Sequence, residues 1–173
     1  MNKLLFKLTA RLPCRLIKVN GPYLERYYLG QLFGVTFYLH RFVSSDRERH
    51  LHNHPWGWGR ALVLAGRYDE EYVGTNTVLV SGTFFTSRAI ITHRIRWWNK
   101  VNGDHFHRIS NARPGTWTLF FHSPRVQVNG KLKGWGFLEK GKFTPYPYPL
   151  RETDEPRWWV NAKLGRDIGR EAL

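Results

Sequence analysis

An all-β domain is predicted by three features of this chain. From Tyr23 onward it is built of short runs rich in β-branched and aromatic residues, Gly, Asn and Pro cut those runs at close intervals, and no long helical pattern interrupts them. Before that point, residues 3–18 set Leu4, Leu5, Leu8 and Leu12 at helical spacing against Lys3, Lys7, Arg11 and Arg15, which predicts a short amphipathic helix ending near Pro13 and packing on the domain. The strand candidates follow in order: YLERYYL, VTFYLHRFV, RALVLAGRYDEEYV, NTVLV, TFFTSRAIITHRI, HFHRIS, TWTLFFHSP and GWGFLE. About eight such strands suit a sandwich, a jelly roll or a small barrel. The proline-spaced TPYPYPLRETDEPRWW reads as an extended arm, with a final weak helix beginning near Val160. The expected division is therefore an N-terminal helical extension (1–22), a β-barrel (23–145) and a C-terminal arm (146–173).

At 173 residues the chain suits a single domain with a substantial core. It has no uninterrupted apolar stretch of about 20 residues, so no membrane-spanning helix is expected. In MNKLLFKLTARLPCRLIKV, Lys7, Arg11 and Arg15 break the apolar patch and no small-residue cleavage site follows, so a secretory signal is not expected and a cytoplasmic location is. The single cysteine, Cys14, excludes an internal disulfide and a cysteine-based zinc site. Any metal must be held by His or carboxylate. The net charge of +14 attracts polyanions, but the basic residues are spread along the whole chain, which predicts only weak, nonspecific nucleic-acid binding. No P-loop, GxSxG elbow or dinucleotide fingerprint occurs.

The informative stretch is HLHNHPWGWGRALVLAG, residues 50–66, which spends three of the chain's eight histidines on alternating positions. On an extended segment His50, His52 and His54 share a face, and two imidazoles so spaced can ligate one metal ion. Of the other histidines, His40, His93 and His122 are isolated and read as structural.

These residues resemble the first motif of the cupin superfamily: HxH, three or four residues, Glu, six residues, Gly. Here His52-Asn53-His54 leads through Pro55 to Trp58 to Gly59 in the Glu position, then after six residues to Gly66. The second motif's His, three residues, Asn is matched by His107-Arg108-Ile109-Ser110-Asn111, while Gly103 lies one residue out of place and the upstream proline is missing. HNHPWGW, LVLAGRYDEEY, HRI, WTLFF and WGF are also similar to a subgroup of small bacterial and phage cupins without an assigned activity. The likeness runs from Arg41 to Phe137.

The resemblance implies a β-jelly-roll with one divalent metal in the barrel mouth, Fe(II) first and Zn, Ni or Mn as alternatives. It implies His52, His54 and His107 as ligands, with His105 the rival for the third place and His50 at the strand entrance. Because Gly59 offers no ligand atom, either three histidines and water hold the metal or a carboxylate is recruited from Glu70, Glu71 or Asp104. A Glu placed at 59 should then tighten metal binding. Glu70 and Glu71 are adjacent on a predicted strand, so only one can face inward. Three neutral imidazoles leave the metal's charge uncompensated, which favours a small anionic substrate.

Tyr68, Glu70 and Arg108 are the candidate catalytic residues, with Ser110 and Asn111 as supporting groups. Arg94, Arg96 and Arg108 could clamp an oxyanion if they point inward. Trp56 and Trp58 are pocket candidates; Trp97 and Trp98 could join them, and Trp117 is core. The leading reading is a non-haem Fe(II) dioxygenase acting on a small anionic molecule. The alternatives are a metal- or ligand-binding cupin without turnover, a nucleic-acid-associated cupin, and a metal-independent isomerase or epimerase of the sugar-nucleotide kind. Jelly rolls of this type often pair, so a homodimer is left open.

Overall fold

Three two-residue turns set the hairpin geometry. Phe33-Gly34, Asn129-Gly130 and Lys140-Gly141 each hold positive φ at both positions, from 47° to 78°, the type I′ form whose twist matches that of paired strands. The computed structural model describes residues 2–18, 21–45, 50–81, 83–146 and 157–172. Its elements are α1 (Asn2–Leu8), β1 (Cys14–Lys18), β2 (Pro22–Leu32), β3 (Val35–Phe42), β4 (Leu51–His52), β5 (Trp58–Ala65), β6 (Tyr68–Val80) and β7 (Thr83–Ile95). These are followed by β8 (Trp98–Asn102), β9 (His107–Ser110), β10 (Thr116–His122), β11 (Gln127–Val128), β12 (Lys131–Leu132), β13 (Gly136–Glu139) and β14 (Lys142–Pro145).

Two six-stranded antiparallel sheets run β1-β2-β3-β10-β5-β8 and β14-β13-β4-β9-β6-β7. The eight strands β3 to β10 alternate between them as β3-β10-β5-β8 and β4-β9-β6-β7, which is the strand order of a jelly roll. The β1–β2 and β13–β14 hairpins widen the two sheets. Leu24, Phe42, Val63, Tyr68, Ile95 and Ala112 form the core between the sheets. A second core lies on the outer face of the first sheet, where Cys14, Tyr27, Leu39 and Trp117 are covered by Leu5, Phe6, Leu12 and Ile168. Strand alternation sorts the two: on β2 and β3, Glu25 faces Arg41 and Tyr27 faces Leu39 on the outer side, while Arg26 faces His40 and Tyr28 faces Tyr38 on the inner side.

Some expectations change. The N-terminal helix is shorter than its apolar spacing suggests: Leu5 and Phe6 pack, Leu4 and Leu8 stay exposed, and a 3-10 turn over Thr9–Arg11 leads to Pro13. Cys14–Lys18, expected in the helical extension, is a strand because Pro13 blocks a helix and β2 offers an edge from Pro22 to Tyr27. The single run RALVLAGRYDEEYV is two strands, broken at Gly66, whose φ is 81°. NTVLV continues the second of them into β6. WNKVN, outside the expected strands, forms β8; its polar sequence hides an alternation in which Asn99 and Val101 are buried. No α-helix begins near Val160: the chain turns there and makes only a 3-10 helix, Gly165–Asp167. Of the expected arm, residues 147–156 lie outside the described residues. Among the described residues no helix is long and apolar enough to cross a membrane.

Candidate metal centre

His52 ends β4, directly opposite His107 at the start of β9. Two residues on, His54 is brought to the same side because buried Asn53 is pinned to β13: its Oδ1 accepts from the Gly136 amide at 2.8 Å, and its own amide donates to the Gly136 carbonyl at 3.0 Å. The His54 amide donates to the Gly103 carbonyl at 3.1 Å, and the Gly103 amide to the Gly57 carbonyl at 3.0 Å. A Cβ at Gly103 would sit 1.8 Å from the Trp56 carbonyl oxygen, so glycine alone permits this approach. The three rings form a near-equilateral triangle, with centroid separations of 5.4, 5.1 and 5.1 Å.

The electrostatics suit a cation. Burial pushes the His52 imidazole down to about 3 and His54 well below its usual range, so both rings are neutral at pH 7. Glu70 faces inward and accepts from His107 Nδ1. Burial alone would raise the Glu70 carboxyl, but the hydrogen bond and charge of His107, with a further bond from Asn99, hold it below the ordinary carboxylate range. An ionised carboxylate only accepts, so the ring nitrogen facing Glu70 carries a proton, and in the neutral tautomer this leaves the lone pair on Nε2. That Nε2 lies 2.8 Å from His54 Nε2. Two lone pairs cannot face each other at that distance without a proton or a cation between them. Nitrogen ligands about 2.1 Å from one ion stand roughly 3 Å apart, and ligand atoms of His52, His54 and His107 all lie within 4.8 Å of one another. Three imidazoles, one backed by a carboxylate, fit a divalent metal.

The rival residue His105 belongs to a second group of the same reach, Glu70, His105 and His107, which shares His107 with the first. It packs on Tyr72 with ring centroids 5.0 Å apart. His50 is not part of either group; it approaches Glu139 at 3.5 Å on the surface. Asp104 is exposed and pairs with Lys133 at 2.6 Å.

Two of the three catalytic candidates lie elsewhere. Arg108 alternates with His107 and so points away from the triangle, where it pairs with Glu71 at 2.6 Å. Tyr68 is in the core beside Phe42, and reaches the centre only through Asn99, which hydrogen-bonds both Tyr68 and Glu70. Asn111 is a turn residue with φ 46° that donates to Asp69 at 2.8 Å. Ser110 reaches the Asp69 carbonyl and Arg94 pairs with the Asp69 carboxylate at 3.0 Å, while Arg96 is exposed. Two tryptophans flank the triangle: Trp56 is stacked on His54 at 4.2 Å and 10°, and Trp135, which the sequence reading did not single out, meets His52 edge-on at 6.3 Å. Trp58 packs on Phe121, Trp97 and Trp98 are exposed, and Trp117 is core. Trp56 also explains Gly59: a Cβ there would lie 2.8 Å from the indole and 3.1 Å from Phe120. A Glu at 59 would therefore displace the ring stacked on His54, which works against the tighter metal binding expected of an added carboxylate.

Three further groups escaped the sequence reading. His40 and His122, read as isolated, share the barrel interior with Arg26, which was not singled out. His122 stacks on Trp56 at 5.6 Å and on Tyr38 at 5.7 Å, and His40 stacks on Phe120 at 4.9 Å. Their available signal was parity: 38, 40, 120 and 122 fall on the inner face of two adjacent strands.

No protein-family model and no curated protein matches this chain. Solved structures do. KdgF from Halomonas sp. is similar at 13% identity and a TM-score of 0.43, over 65% of this chain and 88% of its own. Hydroxypropylphosphonic acid epoxidase from S. wedmorenis is similar at 12% and 0.38, over 64% of this chain and 55% of its own. CapF, solved with 3-isopropenyl-tropolone, is similar at 14% and 0.39, over 73% and 35%. The chain thus spans about half the length of the epoxidase. The likeness is one of general fold, and the chemistry of the site is carried by this chain's own residues.

Proposed function

We propose that this chain is a metal-dependent enzyme of cupin fold, a non-haem Fe(II) dioxygenase acting on a small anionic substrate. The observation that carries the reading is the His52, His54, His107 triangle with Glu70 behind His107. Bound there, iron(II) would supply Lewis acidity and one-electron chemistry toward oxygen, and Zn, Ni or Mn could occupy the same donors. His52 and His54 present neutral nitrogens, Glu70 fixes the His107 tautomer, and Trp56 closes one side of His54 against water. The triangle contains no carboxylate, so the substrate must bring the negative charge.

Purified protein should carry one metal per chain by elemental analysis, and the His52→Ala/His54→Ala double variant should carry none. Oxygen consumption should require substrate and no 2-oxoglutarate. Retention of metal by the double variant would sink the centre.

A second reading follows from the buried His107–Glu70 contact, which is the arrangement of a carboxylate-oriented histidine base. It would serve a metal-independent isomerase. Turnover that survives complete chelation selects it.

A further inference from the structure

The first sheet carries two buried-facing arginines on neighbouring strands, and they are provided for differently. Arg41, on the outer face, holds both oxygens of Glu25, at 2.9 and 3.1 Å. Arg26, on the inner face, has one hydrogen-bond partner among the described residues: its Nε donates to His40 Nε2 at 3.1 Å. His40 is thereby an acceptor and neutral, so it offers no counter-charge. The guanidinium is braced over the Tyr38 ring at 5.4 Å. Neither Nη group has a partner among the described residues.

A chain of ring contacts links Arg26 to the triangle, with Trp158 stacked on Tyr38 at 6.2 Å beside its start. Tyr38 stacks on His122, His122 on Trp56, and Trp56 on His54. The charge of Arg26 contributes to lowering His40, His52, His54 and His122, after burial, so its field spans the whole interior. The acid that also faces this interior beside the triangle, Glu70, is committed to His107 and Asn99.

We infer that Arg26 is the anion anchor of the barrel, binding the oxyanion end, carboxylate or phosphate, of a small ligand whose body lies against His122, Trp56 and Tyr38. A planar guanidinium with both Nη groups uncommitted matches two oxygens of one such group, and Nε stays with His40 to fix the fork. The aromatic walls favour a flat or apolar body over a polyol. This deepens the dioxygenase reading and rests on it for the ligand's other end, yet the anion end is measurable without metal.

The test is calorimetric titration of metal-free protein with inorganic phosphate and, separately, benzoate. One of them should bind with one site per chain, and the tighter of the two identifies the acid group. Arg26→Gln should weaken that binding by about tenfold or more, the scale of lost hydrogen bonds to a charged group. Arg26→Lys, which keeps charge and loses the fork, should fall between. Arg88→Gln removes the same charge from an exposed site on β7 and should change nothing. Equal loss in Arg26→Gln and Arg88→Gln overturns the anchor, as does absence of saturable binding in the unmodified protein. If Arg26→Gln does not fold, full affinity in Arg26→Lys overturns it instead. One metal per chain with anion binding indifferent to Arg26 keeps the centre and removes the anchor; Arg26-dependent binding in a protein that takes up no metal does the reverse.

Discussion

The two faces of the β1-β2-β3-β10 sheet are offset by a single residue, yet they treat charge in opposite ways. On the outer face every strong group is answered. Arg41 and Glu25 pair, Tyr27 Oη donates to Glu25 at 2.6 Å, and Arg170 from the C-terminal segment reaches Tyr27 Oη at 3.1 Å and Thr9 Oγ1 at 2.8 Å. On the inner face His40 and His122 are neutral imidazoles, as are His52 and His54 across the interior, and Arg26 keeps hydrogen-bonding capacity in reserve. The outer network fixes the chain ends to the sheet, while the inner face leaves the Arg26 guanidinium available for the oxyanion proposed above.

The largest effect that would test this contrast is on stability. Arg41→Met leaves Glu25 buried without its cation and should cost about 3–5 kcal/mol in urea unfolding. Arg26→Met removes a cation that no described carboxylate needs and should cost under about 1 kcal/mol. A larger loss at 26 than at 41 would reverse the assignment of structural and ligand-facing arginines.

The pH limits of stability should divide in the same way. A buried imidazole that titrates at about 4 in the fold, as His122 does, and at 6.5 in the open chain, takes its proton first on unfolding. Stability of the metal-free protein should therefore fall as pH drops from 6.5 to 4, by up to about 1.4 kcal/mol per pH unit for each such ring. The outer face fails at the other end. Burial, with the charge of Glu25, pushes the Cys14 thiol up from 9.0 to about 12, so the open chain loses its proton first and stability falls as pH rises through that range. His122→Asn should flatten the acid limb alone and Cys14→Ser the alkaline limb alone, in thermal melts across pH. Movement of both limbs by either variant would mean that the faces are not independent.

How far the sequence reveals this follows from the same alternation. HxH on an extended segment brings His52 and His54 to one side, and the adjacency of Glu70 and Glu71 means that one faces in; both readings need only the period of a strand. The all-β class was legible because its strands are cut by turn residues, whereas the choice of a jelly roll over a sandwich or barrel came through the resemblance carried by the histidine motifs. Arg26 was not, because in YLERYYL both faces carry apolar and charged residues alike, and only the pairing partners Arg41 and His40 distinguish them. Arg108 and Tyr68 stand apart from the triangle for a related reason. Proximity in sequence to His107 and Glu70 suggested proximity in space, whereas Arg108 points to the opposite face and Tyr68, two residues before Glu70, lies 6 to 7 Å further along its strand. The reason for Gly59 was likewise invisible, since it lies in a ring three residues upstream.

The smallest expected effect concerns Glu70 and decides how it serves the centre. In the triangle of His52, His54 and His107, Glu70 only orients a ligand. Glu70→Gln can then still accept from Nδ1 through its amide oxygen, but the amide can also flip and donate, which moves the His107 proton to Nε2 and hides the lone pair. Metal affinity should fall by about 10–100-fold, as for other carboxylates that support ligating histidines. Glu71→Gln, on the outward side with Arg108, should leave it unchanged. In the competing group Glu70 would touch the metal itself, with His105 and His107. There Glu70→Gln and His105→Ala would each abolish binding, and His52→Ala would be tolerated. Competition against a coloured chelator separates the two outcomes, because a weakened site still takes up metal at higher concentration and a dismantled one does not.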